Sequence, residues 1–275
     1  METLMTVTRL LESYYAYGLS DPGLARAANE DAISINAAAG LCLLADGMGG
    51  HGQGDVASRQ VIASVNDLIG RYLPAAAEPF APSWFERWFK RRDGPDRDSL
   101  ERQLDLLADI IREANRTLYR DNQARGAAEG CGIGTTLVGC RLARGSAKMQ
   151  VFHVGDSRLY RLRGNALQAL TKDHSLYRQW QDTGRTGEAP PANRLYQAIG
   201  PKPAIVPDVQ LVEFAAGDSF LLCSDGLTGM LEDGEIADLL GGLTPDNLPA
   251  KAGALIDAAN ANGGTDNISV ILLCQ

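Results

Sequence analysis

Leu41-Cys42-Leu43-Leu44-Ala45-Asp46-Gly47-Met48-Gly49-Gly50-His51 is an apolar run that stops on an acid and a string of glycines. Five consecutive small or aliphatic residues bounded by Gly and Asp read as a buried strand. Similar runs lie at 32–36, 135–141, 149–154, 159–163, 208–214, 219–224 and 268–274. Two long helical patterns intervene: Val61, Val65, Leu68, Ile69 and Tyr72, then Leu100, Leu104, Leu107, Ile111, Ala114 and Leu118. Shorter helices are expected near 234–240 and 248–260. Strands come in runs and helices in a block, which favours segregated layers, an α+β arrangement, over a strictly alternating parallel fold.

The chain has 275 residues, a length that a single sheet-rich domain can fill. Its net charge is -8, which disfavours nucleic acid as a partner. Cys42, Cys131, Cys140, Cys223 and Cys274 include no Cys-x-x-Cys pair, and four lie in or beside apolar runs. An odd count in apolar surroundings suits a reducing compartment. No signal peptide or transmembrane span is visible, so the expected location is the cytoplasm.

The informative pattern is a carboxylate at the end of strand after strand. Asp46 and Asp225 end apolar runs, Asp156 follows Phe152-His153-Val154-Gly155, Asp266 opens the last run, and Glu30 and Asp31 precede Ala32. Any single Asp-Gly here reads most simply as a turn. Several carboxylates beside buried strands are costly to desolvate and would repel one another. A hard divalent cation relieves both costs, and oxygen ligands are those Mg²⁺ or Mn²⁺ prefers. Gly47-Met48-Gly49-Gly50-His51-Gly52 also matches a dinucleotide-binding spacing, but Asp46 before the first glycine would set negative charge against a pyrophosphate.

These residues resemble the metal-dependent protein phosphatase family (type 2C, PPM) of the bacterial type. The resemblance rests on Arg26-Ala27-Ala28-Asn29-Glu30-Asp31, Ala45-Asp46-Gly47-Met48-Gly49-Gly50-His51, Gly134-Thr135-Thr136, Val154-Gly155-Asp156-Ser157-Arg158, Asp173-His174-Ser175, Ser224-Asp225-Gly226-Leu227 and Thr265-Asp266-Asn267. It implies a four-layer α-β-β-α sandwich of two mainly antiparallel sheets flanked by helices. It implies one phosphatase domain over 1–275, with a Trp-rich insert at about 78–98 and a flap at about 175–203. The implied activity is hydrolysis of phosphoserine or phosphothreonine on proteins by a metal-bridging hydroxide, opposing a serine/threonine kinase in signalling. The alternative is a catalytically silent phosphoprotein-binding module on the same fold.

The resemblance also implies roles. Asp46 would bridge two Mn²⁺ or Mg²⁺ ions, the Gly47 carbonyl would complete one sphere, and Asp225 and Asp266 would bind the other. Glu30 would hold metal directly or through water, and Arg26 would clamp the phosphate. Asp31, Asp156 and Asn267 would be auxiliary. Met48 stands where some relatives carry a His, and Cys131 where many carry a third-metal Asp, so a third ion is expected to be weak or absent unless Asp156 substitutes. In the insert, Trp84, Phe85, Trp88 and Phe89 share one helical face followed by Lys90, Arg91 and Arg92. That face either packs on the body or docks a partner or an anionic membrane surface.

Overall fold

The computed structural model describes residues 6–11, 14–49, 53–73, 100–143 and 146–275. The run that ends on Asp46 is strand β4, Leu41–Met48. It does not turn at Asp46-Gly47. It runs on, pairing Gly47 with Thr135 and Met48 with Gly134 of the short strand β5, Gly134–Thr135. Upstream, β4 pairs with β3, Asp31–Asn36, on one side and with β6, Leu137–Leu142, on the other. The expected strand at 135–141 is therefore two strands. Thr136 interrupts it: its N–H keeps the ladder bond to the Asp46 carbonyl at 2.8 Å, but the Asp46 N–H goes to Thr136 Oγ1 at 3.0 Å instead of to the Thr136 carbonyl.

The sheet containing β4 is completed by β7, Lys148–Val154, and β10, Asp208–Glu213, in the order β10-β7-β6-β4-β3. The second sheet has the order β1-β2-β12-β11-β8-β9. Its strands are β1, Thr8–Leu10; β2, Tyr14–Asp21; β8, Arg158–Arg163; β9, Ala166–Ala169; β11, Ser219–Cys223; and β12, Ile268–Cys274. Among the described residues every neighbouring strand pair is antiparallel. β1, β2 and β9 were not expected from the sequence. In β2, Tyr14-Tyr15-Ala16-Tyr17-Gly18 is aromatic rather than aliphatic, so it lacks the Val/Ile/Leu signature of the central strands.

Helices among the described residues cover the outer faces: α1, Gly54–Tyr72, and α2, Leu100–Ala124, on one, and α4, Asp225–Thr228, α5, Asp233–Leu240, and α6, Leu248–Ala261, on the other. The short α3, Leu176–Asp182, buries no residue and lies in the 175–203 excursion. Three cores follow from the pleat of the strands. Leu41, Leu43 and Ala45 of β4 face Val61, Val65 and Ile69 of α1 and Leu107, Ile111 and Leu118 of α2. Cys42 and Leu44 face the other sheet, with Val138, Leu222, Ile271 and Leu273. Beyond that sheet, Leu221, Val270 and Leu272 pack on Ile236, Leu240, Leu248 and Leu255 of α5 and α6. Helix, sheet, sheet and helix thus form four layers, and the central strands are buried on both faces. That is why they read as continuous apolar runs without alternation.

Gly139 of β6 stands opposite Phe152 of β7. A Cβ there would overlap the Phe152 ring, which is fully buried. Phe152→Ala should therefore cost about 3–5 kcal/mol in urea unfolding, and Gly139→Ala about 1–3 kcal/mol. Losses below about 1 kcal/mol for both would contradict this packing.

Candidate metal centre

One end of the sandwich gathers the acids. Antiparallel register sets Asp31, first in β3, opposite Asp46 near the end of β4. Asp225 follows β11 and opens α4, where it lies in the first helical turn. Asp266 precedes β12, and Asp156 lies in the turn between β7 and β8. The two sheets are tied together at this point. Ser224 Oγ, from the end of β11, donates to Asp31 Oδ2 at 2.9 Å, and the Glu30 N–H donates to Asn267 Oδ1 at 2.8 Å.

Burial and mutual repulsion dominate the electrostatics. Burial pushes the Asp46 carboxyl well above the usual range, and the charges of Asp31, Asp225 and Asp156 push it further. Asp31 is raised to about 7 by burial, opposed by Ser269 and Ser224 hydroxyls and reinforced by Asp225 and Asp266. Burial also raises Asp156 to about 7, with Asp225 and Asp173 adding to it. Asp225 is raised by burial and by Asp266, and it shares a hydrogen bond with Asp46. Such a group cannot ionise together without positive charge among it. Asp225 Oδ1 and Asp31 Oδ1 are buried without a hydrogen-bond partner, which is expensive unless a cation supplies the missing interaction. A set of oxygen donors with unsatisfied lone pairs fits hard divalent ions.

The surrounding backbone is held tightly. The Asp46 N–H donates to Thr136 Oγ1 at 3.0 Å, and its carbonyl accepts from Thr136 N–H and Thr135 Oγ1, each at 2.8 Å. Thr136 Oγ1 meets Ser157 Oγ at 2.7 Å, joining the Asp46 strand to the Asp156 turn. Glu30 Oε1 accepts from Gly54 N–H, 2.9 Å away at the start of α1. The Glu30 carbonyl accepts from Gly47 N–H at 3.2 Å and from Ser58 Oγ at 2.6 Å. A Cβ on Gly54 would stand 2.7 Å from the Gly47 carbonyl and 2.9 Å from Glu30 Cδ, so only glycine lets these segments meet. Arg26 Nη2 donates to Asp266 Oδ2 at 2.7 Å, with its side chain half exposed. Asn267 Nδ2 donates to the carbonyls of Pro22 and Ala28, bracing the loop that carries Arg26.

Arg26, Glu30, Asp31, Asp46, Gly47, Asp156, Asp225, Asp266 and Asn267 are thus brought to one place. Trp84, Phe85, Trp88 and Phe89 lie outside the described residues, as does His51. Thr136, Ser157 and Ser224 stand in the blocks that carry the resemblance but without a role, and Ser58 stands in none; what a hydroxyl supports is not legible until its partner is known. His153 is a core residue whose Nε2 meets the Lys172 carbonyl at 2.8 Å.

Raised carboxyl pKa values carry a stability consequence. An acid raised above its unfolded value of about 4 stabilises the fold when protonated, and that contribution fades as pH climbs toward the folded value. Chelator-treated protein should therefore lose stability between about pH 4 and the folded values of about 7 for Asp31 and Asp156. Each group should contribute a slope of up to about 1.4 kcal/mol per pH unit. Asp31→Asn should flatten the profile of Tm against pH, and Mn²⁺ should restore Tm at pH of about 7.5. A chelator-treated Tm that rises through this window would be the opposite sign and would refute the assignment.

The family profile described as "Protein phosphatase 2C" matches residues 25–247. The serine/threonine phosphatase stp of Listeria welshimeri is 32% identical over 238 residues, covering 85% of this chain and 83% of that protein. Protein phosphatase PhpP of Streptococcus pneumoniae is 32% identical over 263 residues, covering 93% of this chain and 95% of that protein. Among solved structures, the catalytic domain of the serine threonine protein phosphatase PstP in complex with two manganese ions superimposes with a TM-score of 0.74. It is 32% identical and covers 95% of this chain and 98% of that one. Fold, carboxylate cluster and kinship agree: the chain belongs to the protein phosphatase 2C family, as a serine/threonine protein phosphatase of the bacterial type.

Proposed function

We propose that this phosphatase removes phosphate from phosphoserine and phosphothreonine on proteins and so opposes a serine/threonine kinase in the same cytoplasm. The observation that carries the reading is the cluster of buried Asp31 with half-buried Asp46 and Asp225, its orphaned oxygens on Asp31 and Asp225, set beside an arginine that remains half exposed. Five free cysteines, four of them buried, accord with a reducing compartment. No helix among the described residues is long and apolar enough to cross a membrane.

Asp46, the Gly47 carbonyl, Glu30, Asp225 and Asp266 would hold two Mn²⁺ or Mg²⁺ ions. When bound, the ions would supply positive charge that lowers the pKa of the attacking water and offsets charge on the phosphoryl oxygens. The chain's own residues do the rest. Thr135 and Thr136 fix the Asp46 backbone, so its carboxylate does not reorganise during turnover. Gly54 N–H, at the start of α1, orients Glu30. Asp266 takes one Arg26 nitrogen, which leaves the remaining guanidinium donors to grip a phosphate fork-to-fork. Water adds to phosphorus, the P–O bond to the serine or threonine oxygen breaks, and that oxygen leaves with a proton as the free hydroxyl. No covalent intermediate with a side chain is needed.

The test is hydrolysis of an aryl phosphate and a phosphothreonine peptide with Mn²⁺, Mg²⁺ or chelator. Turnover should require metal and should fall by about 10³-fold or more in Asp46→Asn and Asp225→Asn. Arg26→Ala should lower kcat/KM by about 10²-fold. Tight phosphopeptide binding with metal and no turnover would identify a binding module instead. Turnover that survives chelator and Asp46→Asn would sink the proposed centre.

A further inference from the structure

His153, His174 and Asp208 bring candidate ligand atoms within 4.8 Å of one another, outside the acidic cluster. The hydrogen bonds speak against a metal there. His174 Nδ1 accepts from Gly155 N–H at 3.2 Å and from Gln197 Nε2 at 2.9 Å. The Gln197 amide is fixed in that sense, because its Oε1 accepts from Val206 N–H and its Nε2 also donates to the Val206 carbonyl, each at 2.8 Å. With Nδ1 taking two donors, the neutral ring carries its proton on Nε2, which lies 3.5 Å from Asp208 Oδ2. A metal at Nε2 would need that proton gone while Nδ1 still accepts, a state open only to an imidazolate.

The same bonds make His174 a junction. Its N–H donates to the Gly155 carbonyl at 2.9 Å, so both backbone groups of Gly155 are spent on one residue. Its own carbonyl accepts from Tyr196 N–H at 3.0 Å. The ring stacks on His153 at 4.5 Å and leans on Tyr196 at 5.5 Å. Gly155 has φ +108°, and a Cβ there would stand 2.6 Å from Thr136 Cγ2. Thr136 in turn holds the Asp46 backbone. A continuous chain of contacts therefore leads from the 194–206 arm, through Gln197 and His174, to Gly155-Asp156 and on to Asp46. Two residues beyond Gln197 the arm is anchored beside Asp46 as well, by reciprocal bonds of 3.0 and 2.9 Å between Thr135 and Ile199.

We propose that His174 is a positioning residue whose Nδ1 acceptor locks the 194–206 arm to the Asp156 turn, and so sets how a phosphopeptide seats over the acidic cluster. The proposal rests on the phosphatase reading above. A peptide covers more of the protein surface than a small aryl phosphate, and the arm, held at Ile199 beside the Asp46 strand, is the surface it would meet, whereas an aryl phosphate need only reach the cluster.

His174→Phe keeps the stacked ring and removes the acceptor, leaving two donors unmatched. His174→Asn places Oδ1 where Nδ1 was and keeps it. His174→Phe should raise KM for a phosphothreonine peptide about 10-fold and leave KM for an aryl phosphate within about 2-fold. His174→Asn should return the peptide KM to within about 3-fold of the parent. Gln197→Leu, cutting the tie from the arm side, should reproduce the peptide defect if His174→Phe does not fold. The proposal fails if His174→Asn is as impaired as His174→Phe, or if both substrates decline together in step with Tm. Nitrogen chemical shifts of the parent should show Nδ1 of His174 unprotonated at neutral pH, and a protonated Nδ1 would overturn the lock whether or not the enzyme turns over. A parent protein that hydrolyses neither substrate with Mn²⁺, yet shows the unprotonated Nδ1, would refute the phosphatase reading and leave the lock standing.

Discussion

Repulsion among buried carboxylates is the constraint on which this structure turns. Asp46, Asp31, Asp225 and Asp156 each feel at least one of the others, and burial raises all of them. A fold does not collect such a group by accident of packing, since each acid in it costs free energy when ionised and unpaired. The cluster is tolerable in the absence of cations only by holding protons. It becomes favourable when divalent charge replaces them. Stability and function therefore draw on the same interaction.

The sandwich makes that interaction possible by keeping everything around it fixed. Two sheets packed face to face leave their strand ends at a shared rim, and the apolar cores on both sides anchor those ends. Hydroxyls and glycines do the local fitting. Thr136 Oγ1 accepts from the Asp46 N–H and Ser224 Oγ donates to the Asp31 carboxylate, and Gly47 and Gly54 allow the Glu30 segment to lie against the end of β4. The 175–203 excursion is joined to this rim at both ends, by His174 near its start and Ile199 near its close. Its short helix α3 is capped by Ser175, whose Oγ accepts from Arg178 N–H.

The strands of the two sheet centres were legible because they are buried on both sides and carry unbroken aliphatic runs, as β4, β11 and β12 show. The edge strands β1 and β9 were not, since half-exposed edges need little apolar character. Nor was β2, whose three tyrosines hide a strand one in from the edge of its sheet. Boundaries moved where a side-chain hydroxyl took the N–H of the facing strand in place of a ladder carbonyl, Thr136 Oγ1 from Asp46 and Ser224 Oγ from Ser269.

The sequence by itself determined the ingredients: which runs are core, which acids stand at their ends, and that so many carboxylates beside buried strands imply positive charge. Those properties are local, because hydrophobic periodicity and side-chain chemistry are carried by neighbours in the chain. Only the tertiary structure decided that Asp31 and Asp46 are register partners, that Asp266 pairs with Arg26 across 240 residues, and that His174 links a surface arm to Asp156. Register and cross-sheet contact are set by how two whole sheets pack, and no short window of sequence contains that information.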